Sequence, residues 1–306
     1  MQRARCHAMT PRVLACVVAY HPDSHRLSAL IARLLPDVAQ VLVIDNGQTI
    51  DPAAGPWSGM TAVQWHLAPG NLGVGAALNL ARQRALDGAF DFLLSFDQDS
   101  LPPAGYLTGL LDIWARAGEA AGGWAALGPA VHDETTGRAL PVQRVDAHLR
   151  LVPSADPWSA QQAVAVDHVI TSGCLYPAAA LSAVGPFRGG WFVDMVDTEW
   201  CWRARHRGWA VMQTGAVVLQ HTIGKAGVKV LGRQVLAHPP QRIYFQVRNT
   251  LWLMRSHDVP RGWRRKLLAP LARKLLLQPL LPERRLARLL AAVRGGVHGL
   301  LQRPPG

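Results

Sequence analysis

Asp97-Gln98-Asp99 follows directly on the apolar run DFLLSF, where a buried strand would emerge. Two carboxylates so placed can hold a divalent cation, and hard oxygen ligands select Mg²⁺ or Mn²⁺ bridging a diphosphate. An Asx turn opening the next helix is the alternative. With 16 aspartates in 306 residues, about one D-x-D triplet arises by chance, so position gives this one its weight. A second acidic group, Asp194, Asp197 and Glu199, lies in WFVDMVDTEWCWR. In a first helical turn such acids oppose the helix dipole favourably. Trp191, Phe192 and Trp200 around them would also desolvate a carboxylate, raising its pKa toward that of a general base. The chain has only four glutamates, so this local acidity is not compositional accident. His221 follows a strand-like run, and Arg242, Tyr244, Arg248 and Asn249 stand in QRIYFQVRN. Arginine and histidine can neutralise phosphate charge, although a lone histidine is as readily a surface or core residue.

Strand-like and helix-like segments alternate through the first 130 residues and put several of these groups at strand ends. Residues 13–19, 41–45, 61–67 and 91–96 read as strands, the first a continuous apolar run suited to a parallel strand covered on both faces. Helices are expected over 24–35, 71–86 and 103–118. This cadence predicts an open, mostly parallel α/β sheet, whose ligands sit beyond the carboxyl ends of the strands. Asp45 ends the second strand, where it either touches a base or ribose or makes a turn. Gly70-Asn71-Leu72-Gly73-Val74-Gly75 opens the following helix. Its G-x-x-G-x-G spacing is not the dinucleotide fingerprint. Asn71 alone reads as a cap, while the small residues at Gly73 would let a nucleotide approach closely. Residues 132–165 read as a variable insertion. A strand is expected over 166–176, a short helix from Pro177, a helix over 197–206, and two strands in WAVMQ and AVVLQ.

Charge divides the chain. From Arg261 onward eleven basic residues face one acid, Glu283, and so carry most of the net charge of +12. Leucines interleave them in WRRKLLAPLARKLLLQPLL and PERRLARLLAAVRGGVHGLL, with breaks expected at Pro270, Pro279 and Pro282. Such a segment can lie on an anionic bilayer, or pack on the core as a helical hairpin with solvated arginines. Nucleic acid is disfavoured, because aromatic interleaving and known motifs are lacking. No stretch reaches the length a transmembrane span requires. Arg3, Arg5 and Arg12 ahead of VLACVVAY imitate a signal peptide, but no small-residue cleavage site follows and the run suits a strand. Four scattered cysteines without a CxxC pair suit a reducing, cytoplasmic setting.

AYHPD, VLVIDNG, NLGVGAALN, LLSFDQDS, ITSGCLYP, GPFRGGWFVDMVDTEWCWRARHRGW, LQHTIG and QRIYFQVRN, in this order over residues 13 to 255, resemble the inverting family 2 glycosyltransferases of GT-A fold. The subgroup they are most similar to is the bacterial rhamnosyltransferases. The resemblance implies a GT-A domain over 1–230, with a nucleotide-sugar half at 11–130 and an acceptor half at 131–230, followed by a basic helical segment over 231–306. It implies that Tyr20, Pro22, Asp45, Asn71 and Gly73 line the nucleotide pocket and that Asp97 meets the nucleotide sugar. Asp99, with Asp97 and His221, would hold Mg²⁺ or Mn²⁺, and Arg242 would face the diphosphate. Asp197 would be the catalytic base. Where the family has a Glu-Asp pair this chain reads Val196-Asp197, so Asp194 or Glu199 would supply the second acid or the base itself. The implied donor is dTDP-β-L-rhamnose, with a UDP-hexose as alternative. The implied acceptor is a lipid-diphosphate-linked glycan at the inner face of the cytoplasmic membrane, in cell-envelope polysaccharide biosynthesis. A sugar-1-phosphate nucleotidyltransferase would need a glycine-rich loop after the first strand, which AYHPDSHR lacks. A non-catalytic surface-binding protein of this fold would have no need of the acids.

Overall fold

The apolar runs pair side by side in the computed structural model, which describes residues 10–133, 138–139, 162–221, 228–230, 233–235, 237–281 and 283–304. Strand β1 (Val13–Ala19) lies between β2 (Gln40–Asp45) and β4 (Phe92–Asp97), parallel to both, and β3 (Val63–Leu67) extends the sheet beyond β2. Helices α1 (Ser24–Leu34), α2 (Gly73–Asp87) and α3 (Tyr106–Ala117) make the connections. Alternate residues of β1 enter opposite core layers: Leu14 and Cys16 pack with α2, Val13, Ala15 and Val17 with α1 and α3. The sheet is therefore covered on both faces, as continuous apolar strands require.

The second half is mixed. Strands β5 (Trp124–Asp133), β6 (Arg138–Ala139), β7 (Ala163–Ala165), β8 (Cys174–Pro177) and β9 (Ala210–His221) complete the order β3-β2-β1-β4-β8-β5-β9-β7, with β6 on β5. β8 runs antiparallel to β4 and β5, whereas β5 and β9 are parallel. The strand expected over 166–176 is confined to its end. Asp167 is instead buried against Arg205, and Gly173 takes a positive φ of 75° in the turn that enters β8. The two strands expected after 208 form one, with its register to β5 shifted between Pro129 and Ala130, where proline has no N–H for the ladder. Of the insertion, residues 134–137 and 140–161 lie outside the described residues.

Helices α4 (Ala178–Val184) and α5 (Val196–His206) cover the second half. A small hairpin of β10 (Val228–Val230) and β11 (Arg233–Val235) precedes α6 (Pro240–Arg255), α7 (Arg261–Lys266), α8 (Leu268–Leu277) and α9 (Arg285–Leu301). The boundary expected at 230 falls inside that hairpin. Trp252, Leu253, Val259, Trp263 and Leu267 share one core with β1, α2 and α5, so α6 and α7 are continuous with the sheet and its helices.

Candidate active site

Register places three polar positions within one residue of the same level. Ala19 pairs with Asp45, and Val18 with Asp97, so Tyr20, Asn46 and Gln98 emerge together at the carboxyl ends of β1, β2 and β4. Gln98 links two of these ends. Its amide donates to the Tyr20 carbonyl at 3.1 Å and its carbonyl accepts the Tyr20 N–H. Asp97 is half-buried, and its N–H donates to Ser172 Oγ at 3.1 Å, while Asp99 is exposed. The middle residue of the triplet is thus a clamp, with Asp97 ending β4 on one side of it and Asp99 in the turn on the other.

Asp45 resolves in favour of a turn. It is fully buried, with Oδ1 accepting the Gly47 N–H at 2.8 Å and Oδ2 those of Thr49 and Ile50 at 2.9 Å. Its carboxylate shapes the loop that walls a cleft of about 690 Å³, lined also by Pro22, Ser24 and Trp57. Tyr20, half exposed, precedes His21 at the rim of that cleft. Asn71 caps, its Oδ1 accepting the Gly73 N–H at 2.9 Å. Gly73 corrects an expectation. Its φ is 79°, and a Cβ there would come 2.5 Å from the Phe192 carbonyl oxygen; one on Gly75 would come 2.9 Å from that of Arg188. The small residues that open α2 admit the 188–192 segment, and Val74 N–H donates to Phe192 at 2.6 Å. That contact docks the acidic loop onto the start of α2.

The acidic loop is held in an unusual shape. Phe192, Asp194 and Met195 all have positive φ, 66°, 60° and 64°, which costs non-glycine residues on the order of 1–3 kcal/mol each. Asn249 on α6 offsets this by donating its amide to the carbonyls of Trp191, Val193 and Asp194 at 2.8, 2.7 and 2.9 Å. Arg248 donates to the carbonyls of Gly190 and Trp191 and lies over the Trp252 ring. The sequence shows both residues in VRN, but not their role as supports of a loop some 55 residues earlier.

The three acids part company here. Asp194 takes a two-pronged ion pair from Arg242, Nε at 3.2 Å and Nη2 at 3.1 Å. Burial alone would lower the Arg242 pKa, but Asp194, with Asp97 adding its charge, carries it above the ordinary value. His238 and Lys274 feel Asp194 as well; burial, assisted by Arg242, pushes His238 down to about 4, so it is neutral at pH 7. Glu199 is a structural acid. It is buried, its Oε1 meets Arg188 at 2.7 Å and Arg203 at 2.9 Å, and Oε2 takes Arg203 at 3.1 Å. Both oxygens are occupied, so the expectation of Glu199 as a substitute base is corrected. Asp197, in the first turn of α5, is half-buried and, among the described residues, is bonded by Thr198, through N–H at 2.7 Å and Oγ1 at 3.3 Å. Burial raises its pKa above the ordinary aspartate value, against the Thr198 bonds and with help from the charge of Asp194. Of the three, Asp197 has the environment of a base. His221 ends β9, and its side chain lies outside the described residues, as do residues 222–227.

Carboxylates and an arginine thus stand at the ends of a mixed sheet whose architecture is the GT-A fold. No family model matches the chain. It is 26% identical over 257 residues to the dTDP-rhamnosyl transferase RfbF of Shigella flexneri, covering 82% of this chain and 83% of that protein. Among solved structures it is similar to TarS 1–349 of S. aureus in complex with UDP-GlcNAc, with TM-score 0.54, 14% identity, and 94% and 81% of the two chains covered. It is also similar to GalNAc-T7 with UDP, GalNAc and Mn²⁺, with TM-score 0.57 and 12% identity over 85% of this chain; it spans 55% of that one.

Proposed function

We propose that the chain is an inverting family 2 glycosyltransferase that moves L-rhamnose from dTDP-β-L-rhamnose to a hydroxyl of a lipid-diphosphate-linked glycan. The observation that carries the chemistry is Asp197: one partly buried carboxylate with a raised pKa, its neighbours Asp194 and Glu199 both committed to arginines. The likeness to a dTDP-rhamnosyl transferase over most of both chains supports the donor. Asp197 accepts the proton of the acceptor hydroxyl, whose oxygen attacks the anomeric carbon as the bond to the dTDP oxygen breaks on the opposite face. Inversion gives an α-L-rhamnoside. Arg242 exchanges Asp194 for the oxygens of the departing diphosphate, a charge-assisted contact in the same two-pronged geometry.

Asp97 at the end of β4 and Asp99 in the turn that follows offer hard oxygen donors, a set that fits Mg²⁺ or Mn²⁺. Bound there, with His221 as a third ligand, the ion would neutralise diphosphate charge. Tyr20, Pro22 and the loop fixed by Asp45 bound the cleft for the nucleoside. No described helix is long and apolar enough to cross a membrane. A lipid acceptor is reached instead from the bilayer surface, on the cytoplasmic side, through the basic segment 261–303.

Nucleoside diphosphate release tests this, using Mg²⁺ or Mn²⁺, a lipid-diphosphate sugar acceptor and an EDTA control. The donors are dTDP-rhamnose, UDP-glucose, UDP-galactose, UDP-N-acetylglucosamine and GDP-mannose. EDTA-sensitive turnover confined to dTDP-rhamnose is expected. Turnover with a UDP-sugar overturns the donor, and turnover that persists in EDTA overturns the metal. Nucleotide binding without any turnover would favour a non-catalytic surface protein.

A further inference from the structure

Among the described residues, one cluster has the composition of a site for a softer metal, and it lies away from the acids just described. His206 closes α5, while His257 and Asp258 stand together in the turn between α6 and α7. One ligand atom from each lies within 4.8 Å of the others. Asp258 Oδ1 is the focus, 3.3 Å from His257 Nε2 and 4.0 Å from His206 Nε2. The two imidazoles meet edge to face, ring centres 5.6 Å apart. Asp258 is buried and oriented from behind: Ser256 Oγ lies 3.4 Å from its Oδ2 and accepts its N–H at 3.3 Å. The histidines are exposed, with side-chain accessibilities of 55% and 83%.

We propose that His206, His257 and Asp258 bind one Zn²⁺, with a water in the fourth position. Two imidazoles and a carboxylate suit zinc, whereas Mg²⁺ prefers oxygen ligands throughout. Bonds of about 2.0–2.1 Å put tetrahedral ligand atoms about 3.3 Å apart. The His257–Asp258 pair already meets that spacing, and rotation of the exposed His206 ring closes the remainder. Ser256 supplies the outer hydrogen bond that metal-binding carboxylates use to hold their orientation.

Geometry sets what the ion does. Asp197 and His206 lie nine residues apart on α5, about 14 Å along the helix. The zinc therefore does not touch the reacting atoms. It joins the end of the helix carrying Asp197 to the point where the chain turns into the C-terminal helices, and so fixes α7 against α5. Trp202 and Trp263 already pack across that junction, 5.3 Å apart.

The test uses the full-length protein stripped of metal, with saturating Mg²⁺ present to fill oxygen-lined sites. Zn²⁺ is titrated in competition with a chromophoric chelator, and the thermal midpoint is read with and without zinc. One equivalent bound and an upward shift of the midpoint are expected, since a ligand held only by the folded state stabilises it. His206→Ala and His257→Ala, both at exposed positions, should each lose the bound equivalent and the shift while melting normally without metal. Zinc bound equally by the wild type and both variants would overturn the proposal. So would no zinc bound by the wild type, which would leave a His–Asp ion pair only.

Discussion

Asp197 and Glu199 stand two residues apart at the start of α5, yet their surroundings give them opposite tasks. The Glu199 carboxylate meets two guanidiniums, and removing its charge leaves Arg203 buried without a counterion. Glu199→Gln should destabilise the fold by about 3 kcal/mol, read from denaturant midpoints, while the folded fraction keeps its turnover. Asp197 pays for reactivity with stability. Because its folded pKa is raised, the native state binds this proton more tightly than the unfolded chain does. The ionised carboxylate therefore works against folding at neutral pH, and that cost is relieved as pH falls through the folded pKa. Asp197→Asn should abolish transfer, leave dTDP binding by calorimetry nearly unchanged, and raise the melting temperature at pH 7. In the wild type, turnover should fall as pH drops through a pKa above the ordinary aspartate value of about 3.9. Transfer retained by the asparagine variant would move the base to Asp194.

The elements that hold these residues differ in how openly the sequence declares them. VLACVVA is rich in valine and DFLLSF in leucine and phenylalanine, both apolar enough to read as buried parallel strands, and the end of the second locates Asp97 without further help. β5 is not legible in the same way. WAALGPAV is built from small residues and a proline, which fit a helix or a loop as well as a strand, and its partners β8 and β9 come 40 or more residues later. The glycines of NLGVGAALN show a close approach but not what approaches, because Phe192 is 119 positions away. Asn249 is the same kind of residue. A lone asparagine in a helix carries no pattern, and its function appears only when three carbonyls of the 191–194 turn are seen converging on it. Asn249→Ala leaves those carbonyls unpaired, costing about 1–3 kcal/mol, and releases a turn with three strained residues. Turnover should fall at least tenfold with donor affinity little changed, since the cleft at Pro22 and Trp57 lies on the other side of the sheet ends. An equal fall in donor affinity would mean that the turn contributes to nucleotide binding.

At the scale of the whole molecule, α9 has two apolar faces where one is enough to fold. Gly295 and Gly299 sit against α6 so closely that a Cβ on either would come within 2.6 and 2.8 Å of Tyr244 and Leu251, and Arg288 and Ala292 complete that buried face. The other face is Leu286, Leu289, Leu290, Val293, Val297 and Leu300, all exposed and at helical spacing. Leu268, Leu275, Leu276 and Leu280 of the preceding turns are exposed as well. The tail thus packs on the core with one side, as one of the two readings of its sequence has it, and leaves an apolar stripe on the other. Arg261, Arg265, Arg273, Arg284, Arg285 and Arg294 are exposed in the same segment, with Glu283 the one acid. Near an anionic bilayer each basic residue contributes about 1 kcal/mol, and that attraction weakens with salt. Leu290→Glu with Val297→Glu changes only exposed positions, so the fold and turnover of a water-soluble acceptor should persist. Co-sedimentation with vesicles containing phosphatidylglycerol should be lost in this variant, and in the wild type it should decline as ionic strength rises. Vesicle binding equal in both proteins would place the membrane contact elsewhere. A wild-type dimer that the variant abolishes would assign the stripe to a second copy of the chain. Because α6 carries both Asn249 and the seat of α9, a bilayer under that stripe would fix the height of Asp197 above the lipid headgroups, and the reach required of a lipid-linked acceptor under the proposed function would follow from that height.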